Sequence, residues 1–225
     1  MITVIDYGMG NSGSIMNILR KVGGQAVLSG DPRELAKASA LVLPGVGHFD
    51  KGMEHLHSQG LVNVMNDKVM GQRTPILGIC LGMQLFANGS KEGSSPGLGW
   101  VDADFVRFNF DAQTAAAEGL KIPHMGWNTI RLRKENPLFA GMANDARFYF
   151  VHSFYARCKQ EDDILATTWY GQDYVSAYAR DSIIGVQFHP EKSLRWGIDV
   201  FRKFVQLVQR STPQAPARDP VPAPA

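Results

Sequence analysis

Cys80 ends a short apolar run, Pro75-Ile76-Leu77-Gly78-Ile79-Cys80, and has glycine two positions before it and two after it. A nucleophile mounted on a sharp strand-to-helix turn needs this pattern, because the turn brings neighbouring backbone too close for a Cβ. A helix following Leu81 would aim its N–H groups and positive end at the sulfur, which favours thiolate over thiol. Alone, the motif equally suits a buried cysteine that only packs. About a hundred residues on lies Ile183-Ile184-Gly185-Val186-Gln187-Phe188-His189-Pro190-Glu191. Thiol chemistry needs a base for the proton and a third group to orient that base. His189 and Glu191 are of the right types, and Pro190 stiffens the link between them. A His-Pro-Glu turn by itself reads as surface. Paired with an elbow cysteine it reads as a nucleophile–base–carboxylate set.

These groups need a frame, and residues 2–6, 25–28, 40–43 and 75–80 read as buried strands. Helical stretches at 14–21, 32–37, 52–70 and from 83 to 88 alternate with them. This alternation predicts parallel βαβ units in a three-layer α/β fold with a flavodoxin-like core, whose sites form at the carboxyl ends of the strands. Cys80 and the Pro44-Gly45-Val46-Gly47 loop both fall at such ends. The second half changes style. Strand-like runs at 101–108, 128–132, 147–155, 164–170, 174–180 and 183–188 predict antiparallel strands added to the parallel core. Residues 197–210 read as a closing helix, and 111–119 as an exposed loop. The expected domain is 1–210. Residues 211–225 hold five prolines among alanines without apolar periodicity, and are expected to be disordered.

The 225 residues carry a net charge of +2, with lysines and arginines scattered, so no nucleic-acid-binding stripe is read. Two cysteines make no disulfide scaffold. Cys158 reads as structural or a bystander, and a reducing compartment suits a thiol nucleophile. No signal peptide or apolar stretch of membrane-spanning length is read, so the expected location is cytoplasmic. No metal or cofactor motif is read.

Together, the elbow cysteine, the His-x-Glu pair and the Pro-Gly-Val-Gly loop resemble those of the class I (triad) glutamine amidotransferases. Asp6-Tyr7-Gly8-Met9-Gly10-Asn11, Pro123-His124-Met125-Gly126-Trp127-Asn128 and Tyr149-Phe150-Val151-His152-Ser153 extend the resemblance over about residues 1–209. They resemble the branch that supplies ammonia to a (β/α)8-barrel cyclase subunit in histidine biosynthesis.

The resemblance implies that L-glutamine is hydrolysed through a thioester on Cys80, with His189 as base and Glu191 orienting it. It implies an oxyanion hole from Val46, Gly47 and Leu81, where an ordinary tight turn is the plainer reading of the glycines. It implies substrate contacts at Gly45, Gln84 and Ser153, although Gln84 also suits a helix surface. His124, Met125, Trp127, Asn128, Tyr149 and Lys192 are implied at the cyclase interface, with a place in the core the alternative for Met125 and Trp127. His48 after Gly47, Phe154 after Ser153 and Ser12 after Asn11 depart from the family pattern. A paralogous branch serves sugar-amidating enzymes of surface-polysaccharide synthesis, and Gly99-Trp100-Val101, Arg147-Phe148-Tyr149 and Ser193-Leu194-Arg195-Trp196-Gly197 have its flavour. A thiol peptidase or γ-glutamyl hydrolase, and a binding module with a decayed site, are the rivals from other classes.

Overall fold

Four-residue apolar runs set the frame. In the computed structural model, which describes residues 1–143 and 145–211, β1 (Ile2–Ile5), β3 (Ala40–Leu43) and β4 (Ile76–Ile79) are buried at every position. β2 (Ala26–Ser29) lies at one edge and is partly covered. A strand buried on both faces carries no polar alternation, which is why these runs are continuous. In β3, Ala40 and Val42 enter one core while Leu41 and Leu43 enter the other. Helices cover both faces. They are α1 (Ser12–Lys21), α2 (Pro32–Leu35), α3 (Phe49–Ser58), α4 (Leu61–Asn66) and α5 (Leu81–Leu85).

The second half supplies β5 (Gly89–Ser90), β6 (Ala103–Arg107), α6 (Ala112–Glu118), β7 (His124–Thr129), β8 (Arg131–Leu132), β9 (Arg147–His152) and β10 (Phe154–Cys158). β11 (Ile164–Trp169), β12 (Asp173–Arg180), β13 (Ile183–Val186) and α7 (Leu194–Ser211) follow. The main sheet runs β2-β1-β3-β4-β13-β12-β10-β6-β5, with β11 on β12 and β8 on β11. β2, β1, β3, β4 and β13 are parallel, and β12 begins the antiparallel extension. This is the mixed three-layer architecture that the alternation predicts. Its main consequence for chemistry is that β13 lies directly beside β4, with Val186 opposite Ile79. The chain leaving β13 toward His189 therefore emerges beside the turn that carries Cys80. α7 seals one face by burying Val200, Phe201, Phe204, Val205 and Val208 with Ile15 and Leu19 of α1.

Several expectations require correction. The stretch expected to be mostly helical over 52–70 is so, but it starts earlier and is divided at Gly60 (φ 68°), where the left-handed backbone ends α3; a wider turn at Asp67–Gly71 then closes α4. The loop expected over 111–119 is the helix α6. The Asp111 side chain caps it by accepting from the Thr114 N–H at 2.8 Å, Gly119 (φ 64°) ends it, and three consecutive alanines favour it. It buries no residue, so no apolar period announced it. The run 147–155 is two strands in two sheets: β9 pairs with β7 in a separate ribbon, and the chain crosses at Ser153 into β10 of the main sheet. Likewise 128–132 divides between β7, which starts at His124, and β8. Ser211 ends α7, and the rest of the proline-rich segment lies outside the described residues.

Candidate active site

The backbone of Cys80 has φ 54° and ψ −109°, a region that L-residues rarely adopt. Its neighbours hold it there. The Cys80 N–H donates to the Val186 carbonyl at 2.8 Å, and the Cys80 carbonyl accepts from Gln84 N–H at 3.2 Å. The two glycines serve separate contacts. A Cβ on Gly82 would lie 1.9 Å from the Leu43 carbonyl oxygen, so glycine lets α5 rest on the end of β3. A Cβ on Gly78 would lie 2.4 Å from the Phe86 ring, so glycine lets the chain fold back over its own strand. Leu81 is the first residue of α5, where backbone N–H groups have no preceding helical acceptor.

His189 arrives from β13 and is held at both backbone ends. Its N–H donates to the Tyr149 carbonyl at 2.8 Å, and its carbonyl accepts from Ser193 Oγ at 2.6 Å. The short helical turn Pro190–Lys192 folds Glu191 back under the ring. Nδ1 and Glu191 Oε1 are 2.8 Å apart, and both side chains are 1% exposed. Nδ1 therefore carries a proton for the carboxylate, which leaves Nε2 for the sulfur. Burial disfavours charge on this ring, but the adjacent Cys80 sulfur and Glu191 carboxylate outweigh it and raise its pKa to about 10. Nε2 has no hydrogen bond of regular geometry among the described residues, and the Cys80 sulfur is its close neighbour.

Cys80 and His189 share one cavity of about 290 Å³, with Val46, Gly47, Leu81, Gln84 and Ser153 also in its wall. Gly45 lies behind the wall. A Cβ there would meet Gly82 N, Leu81 Cβ and Tyr7 Oη, all at 2.7 Å, so Gly45 allows close packing of the loop rather than touching the cavity. Gln84 is buried, not a surface helix residue. Its Nε2 donates to Gln187 Oε1 at 3.2 Å, and Gln187 Nε2 lies 3.7 Å from Cys80 Sγ. Sequence reasoning missed Glu92, a residue of the cavity wall whose carboxylate accepts from Phe49 N–H at 2.8 Å. No local pattern marks it. A larger groove of about 540 Å³, lined by Ser39, Lys68, Asp181 and others, opens at the opposite ends of the strands and contains no cysteine or histidine.

Alternation along β7 separates the expected interface residues. Met125 and Trp127 are 62% and 45% exposed, whereas His124 is buried and Asn128 partly covered. Trp127 meets Tyr149 edge-on, and Lys192 Nζ lies over the Tyr149 ring. His124 thus does not belong to the exposed face. Cys158, on β10, is half-buried, and burial pushes its thiol up to about 12, leaving it a poor nucleophile.

With this geometry in hand, comparison with known proteins is decisive. Residues 3–207 match the family model described as glutamine amidotransferase class-I. The chain belongs to this family. Among curated relatives, this amidotransferase is 47% identical to imidazole glycerol phosphate synthase subunit HisH 2 of Pseudomonas aeruginosa, over 92% of this chain and all of that one. It is 46% identical to the protein of the same name from Methanococcus maripaludis, over 92% and 99% of the two chains. Among solved structures, a putative GMP synthase component of Thermoplasma acidophilum superposes with a TM-score of 0.68 at 22% identity. It covers 93% of this chain and 94% of that one, which speaks for the fold.

Proposed function

We propose that this class-I amidotransferase is the glutamine-hydrolysing subunit of an imidazole glycerol phosphate synthase. The observation that carries the reading is a cysteine on a strained elbow, sharing a cavity with a histidine whose Nδ1 lies 2.8 Å from a buried carboxylate. Cys80 thiolate attacks the side-chain amide carbon of glutamine, and the carbonyl oxygen takes the negative charge. The N–H groups of Val46, Gly47 and Leu81 receive that charge. His189, holding the former thiol proton on Nε2, gives it to the departing nitrogen, and ammonia leaves a γ-glutamyl thioester. Water then attacks the thioester, His189 removes its proton, and glutamate and the thiolate are regenerated. Glu191 keeps the imidazole in the useful tautomer. Gln84 and the Ser153 backbone hold the substrate, and the Glu92 carboxylate suits its α-ammonium group.

Ammonia is largely protonated in neutral water, and ammonium is no nucleophile, so the product must pass directly to an acceptor. The relatives' names, each a subunit of a synthase, support a partner subunit as that acceptor, and the resemblance of the sequence motifs makes it a (β/α)8-barrel cyclase. The exposed Met125 and Trp127, with Tyr149 and Lys192, supply a face with the aromatic character of an interface hot spot. Asn128 adjoins that face, and His124 backs it from within. The segments Gly99-Trp100-Val101, Arg147-Phe148-Tyr149 and Ser193-Leu194-Arg195-Trp196-Gly197 favour a second reading, an ammonia-supplying subunit for a sugar-amidating enzyme. Both readings are tested by pairing the chain with a histidine-pathway cyclase. Glutamine-dependent and ammonium-dependent product formation are then compared for the wild type and Cys80→Ala. The first reading predicts loss of the glutamine-dependent rate alone. No transfer from wild type to this cyclase, despite glutamine hydrolysis, supports the second.

A further inference from the structure

Two buried histidines outside the triad are joined through a tyrosine, and their donors and acceptors alternate without conflict. Asn128 Nδ2 lies 3.4 Å from His124 Nε2, and its other hydrogen is available to the Trp169 carbonyl at 2.9 Å. His124 Nδ1 lies 3.0 Å from Tyr174 Oη, which lies 3.3 Å from His152 Nε2. His152 Nδ1 lies 2.8 Å from the Phe154 carbonyl. That carbonyl can only accept, so His152 Nδ1 carries the proton and Nε2 accepts from the Tyr174 hydroxyl. The hydroxyl oxygen in turn accepts the His124 Nδ1 proton, and His124 Nε2 takes one from Asn128. Every member has one compatible role when both rings are neutral.

Aromatic walls make this assignment rigid. His124 stacks on Tyr170 at 3.9 Å and on Phe150 at 5.0 Å, and the Phe108 ring lies 5.4 Å from His152 and 5.2 Å from Tyr174. Burial holds both imidazoles in the neutral form, at about 4 for His124 and about 3 for His152.

This chain of contacts ends at a functional place. The bond from His152 to Phe154 spans Ser153, where the backbone leaves β9 for β10. The Ser153 carbonyl is pinned from the other side by the Phe108 N–H at 3.0 Å. Ser153 is in the wall of the cavity beside Cys80 and His189.

We propose that His152 and Tyr174 are positioning residues for glutamine: Tyr174 anchors the His152 ring through Nε2, and the ring's Nδ1–H holds the Phe154 carbonyl and with it the Ser153 peptide against which substrate binds. This rests on the glutaminase reading above. Neither side chain takes part in proton transfer, so their loss acts on binding rather than on the bond-breaking step. The test is steady-state glutaminase kinetics of the full chain with its cyclase partner, comparing wild type, Tyr174→Phe, His152→Asn and His152→Gln. Tyr174→Phe keeps the aromatic ring and removes the anchor on His152 Nε2. KM for glutamine is expected to rise about fivefold to tenfold, the worth of one neutral hydrogen bond, with kcat within twofold. An asparagine places its amide near the Nδ1 position and a glutamine near Nε2. His152→Asn is therefore expected to retain a KM closer to wild type than His152→Gln. A Tyr174→Phe protein with unchanged KM overturns the proposal, as does a fall in kcat alone, which marks a structural role. If Tyr174→Phe does not fold, the ordering of the two His152 variants decides alone, and equal KM values overturn the proposal. Alkylation of Cys80 by iodoacetamide keeps its wild-type rate in all the variants if only positioning is lost. A wild-type chain with no glutaminase activity instead sinks the underlying functional reading.

Discussion

Acidification should destabilise this protein well before its carboxylates are neutralised. His124 and His152 are buried and neutral, at about 4 and about 3 against an ordinary value of 6.5. As pH falls below 6.5 the unfolded chain binds protons at both rings while the folded chain does not. Each ring therefore costs about 2 kcal/mol at pH 5 relative to pH 7.5. This figure depends on the unfolded value and hardly on how far below 5 the folded values lie. His189 acts with the opposite sign. Its folded value is raised to about 10, so its contribution is fully present below pH 6.5 and is lost as pH rises through about 10. Between pH 7.5 and 5 it offsets part of that loss. The net expectation is a loss of a few kcal/mol over that interval, a large share of a typical domain's roughly 5–15 kcal/mol. Urea unfolding at the two pH values measures the total, and imidazole proton resonances assign it to individual rings. Equal or greater stability at pH 5, or either buried ring titrating near 6.5 in the folded protein, refutes the reasoning.

Three further outcomes follow from the site. Gly82→Ala places a Cβ 1.9 Å from the Leu43 carbonyl oxygen, so α5 must lift from β3. A stability loss of about 3 kcal/mol in urea unfolding and a collapse of glutamine turnover are expected, and a wild-type melting curve contradicts the packing account. Glu191→Gln removes a buried charge-assisted hydrogen bond, so kcat for glutamine falls at least about tenfold with KM nearly unchanged. A KM effect alone contradicts the orienting role. Cys158→Ser leaves glutamine turnover within about twofold, because a half-buried thiol with so high a pKa is a poor nucleophile. A large loss of turnover makes Cys158 a participant.

The parallel half of the fold was legible because β1, β3, β4 and β13 are covered on both faces and leave short runs that are apolar but for Thr3 of β1. Cys80, His189 and Glu191 were legible because an elbow needs glycines at fixed offsets and the base and its carboxylate are two residues apart. The junction at Ser153 was not, since β9 and β10 are equally apolar and only pairing partners separate them. α6 escaped because its stability is local, from a cap and alanines, with no buried face. Glu92 and the His124–Tyr174–His152 chain depend on residues brought together only by tertiary structure. His124 looked like part of an exposed motif because one-residue alternation along β7 is not visible until the strand's start is known.

The central claim is that Cys80 carries the acyl group. Acid-quenching the protein with its cyclase partner during glutamine turnover, followed by mass spectrometry of its peptides, tests this directly. The account predicts a γ-glutamyl adduct on the peptide containing Cys80 and none on that containing Cys158. Glutamate production without an adduct on Cys80, or with the adduct elsewhere, contradicts it.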